Sequence, residues 1–216
     1  MMKIVIKIGG SLAITGSGPD EDYVKKLLPV IREIKKRHKI VFVIGGGRLI
    51  RNYYSSLASF NMSDAEKESI LIELLRANVK FFSLLLEMKP IFTMEDLKKN
   101  KFGVIGGIKP GTSTDANAAY AASLIKAGML IKMTNVNGIY DKDPNKYDNA
   151  KKLDEVKFSE LKNYSVKGRP VSYGILDPTA MKIITRNKIT TYVIDGRQPE
   201  NLLKVVRGGK IGTVIH

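Results

Sequence analysis

No cysteine occurs among the 216 residues, which excludes disulfides, thiolate metal sites and a cysteine nucleophile. Tryptophan is also absent, and glutamine occurs once, at Gln198, a composition in keeping with a hot habitat. Histidine occurs only as His38 and His216, and neither stands at a glycine turn. Long apolar runs are missing too. The stretch Ile4 to Ile8 is broken by Lys7 and ends in glycines, too short for a membrane span or a signal-peptide core. A soluble, cytoplasmic protein is the expectation. Acidic residues are in deficit, 21 against 36 basic ones, for a formal charge of +15. Such a field favours phosphorylated small molecules, nucleic acid or an anionic membrane surface. The densest basic group, Arg32 to Lys39, falls in an amphipathic pattern, and its end, Lys35 to Lys39, stands where cations complement a helix dipole. No RNP aromatic motif, zinc finger or KH-type loop accompanies it, so no specific nucleic-acid partner is expected.

What is present is a repeating order of strand, glycine turn and helix. Lys3 to Ile8 reads as a buried strand ending at Gly9-Gly10-Ser11, and Ile40 to Ile44 as a second ending at Gly45-Gly46-Gly47. A third step runs from Phe102 to Gly107. Helices are predicted over 20–37, with Pro29 as an irregularity, from about Arg48, and over 64–88. Another covers 115–127, with Ser113 or Thr114 as N-cap and Gly128 as the stop. Met129 to Thr134 and Ile189 to Ile194 read as strands, 177–187 and 200–207 as helices, and Gly212 to Ile215 as a last short strand. The span 141–174 reads as polar and irregular, with a short helix near 159–163. This alternation predicts one α/β domain, a mainly parallel sheet with helices on both faces in a three-layer sandwich.

Glycine clusters at successive strand ends point to a phosphate ligand. Ligands of open α/β sheets sit outside the carboxyl ends of the strands. Glycine admits the backbone close to a phosphate, and helix N-terminal amides favour its charge. The ordinary nucleotide motifs are missing: there is no GxxxxGK[ST], and no GxGxxG opens a helix after the first strand.

Four segments in order resemble the amino acid kinase family: Lys7-Ile8-Gly9-Gly10-Ser11, Gly45-Gly46-Gly47, Thr134 to Pro144, and Leu176 to Lys182. With Gly106 to Asp115 added, the set is most similar to the archaeal branch of uridylate kinases. The resemblance spans essentially the whole chain and implies ATP and UMP as substrates, Mg²⁺ with the ATP, and a homo-oligomer, commonly a hexamer in the family. It also implies an acceptor lobe over roughly 1–114 and an ATP lobe over 115–216. Relatives with added regulatory or RNA-binding domains are longer than a chain ending at His216. Isopentenyl phosphate kinases share the fold and compact size, but normally carry a histidine on the substrate phosphate. A non-catalytic nucleotide- or oxyanion-binding protein on the same fold is the remaining alternative.

Transfer between two phosphates needs no general base, since a monophosphate with a second pKa of about 6 is already ionised. Cations and amides suffice to hold two polyanions in line. Lys7, at the end of the first strand, is the first candidate for the cation; the plainer reading is a solvent-facing strand lysine. The resemblance assigns Lys7, Ile8, Gly9, Gly10, Ser11, Gly47, Arg51, Thr134, Asn135, Tyr140 and Asp143 to ATP. It assigns Gly46, Glu68 and the loop Ile108, Lys109, Pro110, Gly111, Thr112, Ser113 and Thr114 to UMP. Glu68 stands where most relatives have Asp. Asp177 and Lys182 are further candidates near the transferred phosphate, although Asp177 before Pro178 also makes a good N-cap.

Overall fold

The computed structural model describes residues 1–144, 146–164 and 175–216. Part of the irregular span expected over 141–174 therefore lies outside the described residues. Ten strands are found among the described residues: β1 Lys3–Ile8, β2 Lys39–Ile44, β3 Pro90–Ile91, β4 Gly103–Ile105, β5 Met129–Thr134, β6 Ile139–Tyr140, β7 Lys152–Leu153, β8 Glu155–Val156, β9 Thr191–Asp195 and β10 Thr213–Ile215. The helices are α1 Gly10–Ala13, α2 Glu21–Arg37, α3 Gly47–Ser56, α4 Asp64–Leu86, α5 Met94–Asn100, α6 Thr114–Ile125, α7 Pro178–Asn187 and α8 Glu200–Val206.

Eight strands form one sheet in the order β3-β4-β2-β1-β5-β9-β10-β8, while β6 and β7 form a separate antiparallel pair. From β3 to β9 every pairing is parallel; β10 runs antiparallel to β9. The period-2 alternation of β1 assigns its faces. Ile4, Ile6 and Ile8 join the core built with α2, α4 and α8, and Val5 joins the core under α6 and α7. Lys7, of the same parity as Val5, therefore belongs to the α6 face. The alanines of α6 (Ala118, Ala119, Ala121 and Ala122) are buried there and bring that helix close to the sheet.

Local chemistry sets the helix starts. Asp20 caps α2 by accepting from the Tyr23 amide at 3.0 Å, and Ser63 and Glu66 form a reciprocal capping box on α4. Pro29 lies inside α2 without ending it. Part of the basic run has a second duty: Arg32 and Lys35 donate to the carbonyls of Leu85 and Leu86 at the end of α4.

Three expectations are corrected. The stop of α6 is not Gly128 but Lys126, which adopts the left-handed conformation (φ 52°) while its amide bonds back into the helix. The span after 141, expected to be irregular, carries β7 and β8, and the short helix expected near 159–163 is a 3-10 helix at Leu161–Tyr164. β3 and α5 were not anticipated, because two-residue strands and a seven-residue polar helix leave little periodicity to read.

Candidate active site

β2, β1 and β5 are neighbours in the sheet, so their carboxyl ends deliver Gly45–Gly47, Gly9–Gly10 and Thr134 to one place. The Gly9 amide donates to the Met133 carbonyl at 2.8 Å, joining the first turn to the end of β5. The two glycine turns touch: a Cβ on Gly10 would stand 2.2 Å from the Gly47 nitrogen. Gly47 itself has φ +66°, which side chains rarely adopt. Backbone, with no side chains intervening, thus fills the junction from which α1 and α3 start.

Beside this junction lies a buried ion cluster. Lys7 of β1 and Lys132 of β5 are in register, side by side on the α6 face. They are only 7 % and 4 % exposed. Asp115, in the first turn of α6, lies between them, with Oδ1 2.9 Å from Lys7 Nζ and Oδ2 2.6 Å from Lys132 Nζ. Lys132 also donates to the Ile175 carbonyl. Burial alone would raise the Asp115 carboxyl, but the two ammoniums outweigh it and hold the group below the usual carboxylate range. Burial first, and the like charge of Lys7 second, push the Lys132 ammonium down to about 8 despite Asp115. Two cations thus share one carboxylate directly; Asp177 adds a weaker attraction to Lys132. Such a centre favours an incoming anion, because a buried charge without a full counter-ion is costly.

Two helix N-termini converge on the cluster. Ser113 caps α6 by accepting from the Ala116 amide at 2.9 Å, and its hydroxyl donates to Asp177 Oδ2 at 2.5 Å. Asp177 caps α7 through Oδ1, accepting from the amides of Thr179 (2.8 Å) and Ala180 (3.0 Å). Both readings of Ser113, helix cap and site residue, are compatible with this geometry.

On the other side of Ser113 lies a cavity of about 350 Å³ between α3, α4 and the loop after β4. Its walls include Ile50, Leu71, Ile72 and Leu75, with Glu68, Lys109, Pro110, Gly111, Thr112 and Ser113. Glu68 Oε2 accepts from the Gly111 amide at 2.7 Å. Gly46 abuts this wall, since a Cβ there would meet Ile50 and Leu75. Ile108 is buried beneath the loop. Thr114 turns instead toward the Gly45 turn, its Oγ1 3.6 Å from where a Cβ on Gly45 would stand. The residues expected to serve the acceptor are thus largely one neighbourhood.

The residues expected to bind ATP are more dispersed. Lys7, Ile8, Gly9, Gly10, Ser11, Gly47, Thr134 and Asn135 sit at the adjoining strand ends, and Arg51 is exposed on α3. Tyr140 lies in β6 near Arg197, which pairs with Asp195. Asp143 lies in a turn, its carbonyl accepting from the amides of Lys146 and Tyr147. Lys182 is not brought to the cluster. It is exposed on the α7 face that lines a largely apolar groove with Phe158 and Met181, and no hydrogen bond or ion pair among the described residues joins it to Asp115 or Asp177. At five residues beyond the cap it has rotated to a different side of the helix from the cap's bonds.

Three residues of this architecture escaped the sequence reading. Lys132 sits within Met129 to Thr134 as Lys7 sits within β1, a lone lysine one or two residues from the end of an apolar strand, and that parallel could have flagged it. Asp115 was read as the opening of a helix and as the end of the Gly106 to Asp115 segment, with no role of its own assigned. Tyr23, buried on α2, donates to the Gly196 carbonyl at 2.7 Å, and the Gly196 amide donates to the Thr134 carbonyl at 2.7 Å, so α2 supports the end of β5.

Comparison with known proteins places this geometry. The model of the amino acid kinase family matches residues 2–94 and 93–195. The uridylate kinase of Thermococcus onnurineus is 35% identical over 224 residues, covering 99% of both chains, and that of Methanococcus aeolicus 37% identical over 227 residues, covering both completely. The crystal structure of uridylate kinase from Archaeoglobus fulgidus superposes with a TM-score of 0.86 at 30% identity over the whole of each chain. The family model and the full-length relatives agree with the glycine turns and the parallel sheet: this chain belongs to the amino acid kinase family.

Proposed function

We propose that the protein transfers the γ-phosphoryl group of ATP to UMP, giving ADP and UDP, a step of pyrimidine nucleotide synthesis. The observation that carries this reading is the Lys7–Asp115–Lys132 cluster, set between the glycine junction and a cavity of mononucleotide scale. Full-length relatives named as uridylate kinases supply the acceptor. On this reading residues 1–114 provide most of the acceptor seat and residues 115–216 most of the ATP seat, over one continuous sheet. Gly9, Gly10 and Gly47 present backbone to the phosphates. Lys7, whose only direct counter-ion among the described residues is the shared Asp115, lies on the oxygens that gain charge as the phosphoryl group moves. Lys132, held by Asp115 and the Ile175 carbonyl, fixes the carboxylate that aims Lys7. Ser113 and the opening turn of α6 face the acceptor phosphate.

Phosphoryl transfer from ATP ordinarily proceeds with Mg²⁺. Among the described residues no group of three or more His, Cys, Asp or Glu side chains could hold a metal ion. Asp115 is engaged by two ammoniums, and Asp177 by a hydroxyl and two amides. Among the described residues the donors therefore do not fit a protein-held ion, and on this reading Mg²⁺ is held by the ATP phosphates. A homo-oligomer, a hexamer by family resemblance, is the assembly proposed; the aromatic surface of Tyr53, Tyr54 and Phe60 is exposed in the single chain. Among the described residues no helix is long and apolar enough to cross a membrane.

The decisive experiment is coupled ADP release with UMP, CMP, AMP and isopentenyl phosphate as acceptors. Selective turnover of UMP is expected. Turnover of the isoprenoid alone would overturn the acceptor, and nucleotide binding without turnover of any acceptor would overturn the enzyme.

A further inference from the structure

The carboxyl end of β9 adjoins the donor side of the site. Asp195 pairs in register with Thr134 of β5, and the Gly196 amide donates to the Thr134 carbonyl at 2.7 Å. Strand β6 is drawn to the same place. The Ile139 amide donates to Thr213 Oγ1 at 2.8 Å, and Thr213 pairs with Val193, two residues before Asp195. Tyr140, the next residue of β6, thereby comes near Arg197. The Arg197 side chain is 62 % exposed, yet its guanidinium is gripped at three points by Asp195. Nε donates to Oδ1 at 2.9 Å and to Oδ2 at 3.1 Å, and Nη2 donates to Oδ2 at 2.5 Å. The turn beneath is braced as well: the Arg197 amide donates to Asp195 Oδ1, Tyr23 to the Gly196 carbonyl and Asn201 to the Asp195 carbonyl. An exposed ion pair adds little to stability. Because Asp195 already answers the charge, the pair has little attraction left for a phosphate. What it presents is a flat, weakly hydrated face held in one orientation.

We propose that Arg197 is a specificity-determining residue of the donor seat, its guanidinium, held in plane by Asp195, stacking on the base of the incoming nucleotide. This rests on the kinase reading above, in which Thr134, Asn135 and Tyr140 serve ATP. Guanidinium planes stack on nucleobases, and a purine offers the larger face. Asp195 is then a positioning residue: it fixes the plane before the nucleotide arrives, so little side-chain freedom is lost on binding. A lysine at 197 would keep the charge and lose the plane.

The test is calorimetric titration of the full chain, without acceptor, using ATP and inorganic tripolyphosphate, which has the phosphates but no base. The variants are Arg197→Ala, Arg197→Lys and Asp195→Asn. Ala should weaken ATP binding about five- to tenfold, the size of a lost base stack. Binding of tripolyphosphate should stay within about twofold. Lys should resemble Ala rather than the wild type. Asn keeps an acceptor for the Arg197 amide but loosens the fork, and should weaken ATP about two- to threefold. In steady-state assays the KM for ATP should follow the same order, with kcat and the acceptor KM unmoved. The preference for ATP over CTP should shrink in the Ala variant. The proposal is overturned if Lys binds ATP as tightly as Arg, or if ATP and tripolyphosphate weaken alike, since either result means that charge alone acts. Unchanged ATP binding in the Ala variant overturns it as well. A wild type that binds ATP but phosphorylates no acceptor would instead sink the kinase reading, while the titrations would still decide the stack.

Discussion

The transfer centre and the acceptor loop are adjoining parts of one site, yet they are held by opposite means. Lys7 and Lys132 are buried and each is paired with the partly buried Asp115, with Lys132 also fixed to a backbone carbonyl. Lys109, Pro110 and Gly111 are exposed, and the Gly111 amide donates to the Glu68 carboxylate. The difference follows from what each must do. Charges that stabilise a transition state are worth most when they need not reorganise, which calls for burial and mutual pairing. A loop that admits a substrate must open, which calls for few packed contacts and a tie that can be broken.

The comparison breaks first at Asp115. Replacing it by Ala leaves two buried ammoniums without their shared carboxylate, and a loss of about 3–5 kcal/mol in unfolding free energy is expected by denaturant titration. By contrast Glu68→Ala should change stability by no more than about 0.5 kcal/mol in the same titration. Equal effects would mean that the two regions are not held differently at all. Next comes Lys7→Met, which removes a cation but leaves the Asp115–Lys132 pair intact. It should lower kcat by about 10²–10³-fold in steady-state assays while stability changes little.

The third contrast is in pH. The Lys132 ammonium titrates near 8 in the folded protein against an ordinary lysine value of 10.5. It is charged below that point and neutral above it, so kcat should fall through a limb near pH 8, and Lys132→Arg should move the limb upward. Between about 8 and 10.5 the unfolded chain binds the extra proton, so this group's contribution to stability rises with pH across that window and is lost as pH falls through 8. A profile flat to pH 10 would remove Lys132 from the charge balance. The smallest effect is expected at Tyr23→Phe. The variant keeps the ring and leaves the Gly196 carbonyl without its donor, costing about 1 kcal/mol of stability. Because Gly196 supports Thr134, the KM for ATP should rise a few-fold with the acceptor KM unmoved, measured in paired saturation curves.

Much of this was legible in the chain itself. The runs Lys3 to Ile8 and Ile40 to Ile44, each followed by glycines, announced parallel strands buried on both faces, and the structure pairs them in register. The loop from Lys109 to Ser113 and Glu68 were placed together by resemblance, and they line one cavity. Lys182 stands apart from the ion cluster, exposed on α7, and its motif alone did not say which way that helix would turn. Lys132 shows the limit of local reading. Its neighbours Leu130, Ile131 and Met133 disclose a buried strand, but nothing local says which strand it will lie beside.

Local composition decided the elements: β-branched runs make strands, Asp20, Ser63, Ser113 and Asp177 start helices, and glycine alone fits where Gly10 meets Gly47. Tertiary structure decided the chemistry. Lys7, Asp115 and Lys132 become one cluster only because β1 pairs with β5 and α6 crosses back over both. The physical reason is range: periodicity and capping act between residues a few positions apart, whereas strand order and register emerge from packing the whole core.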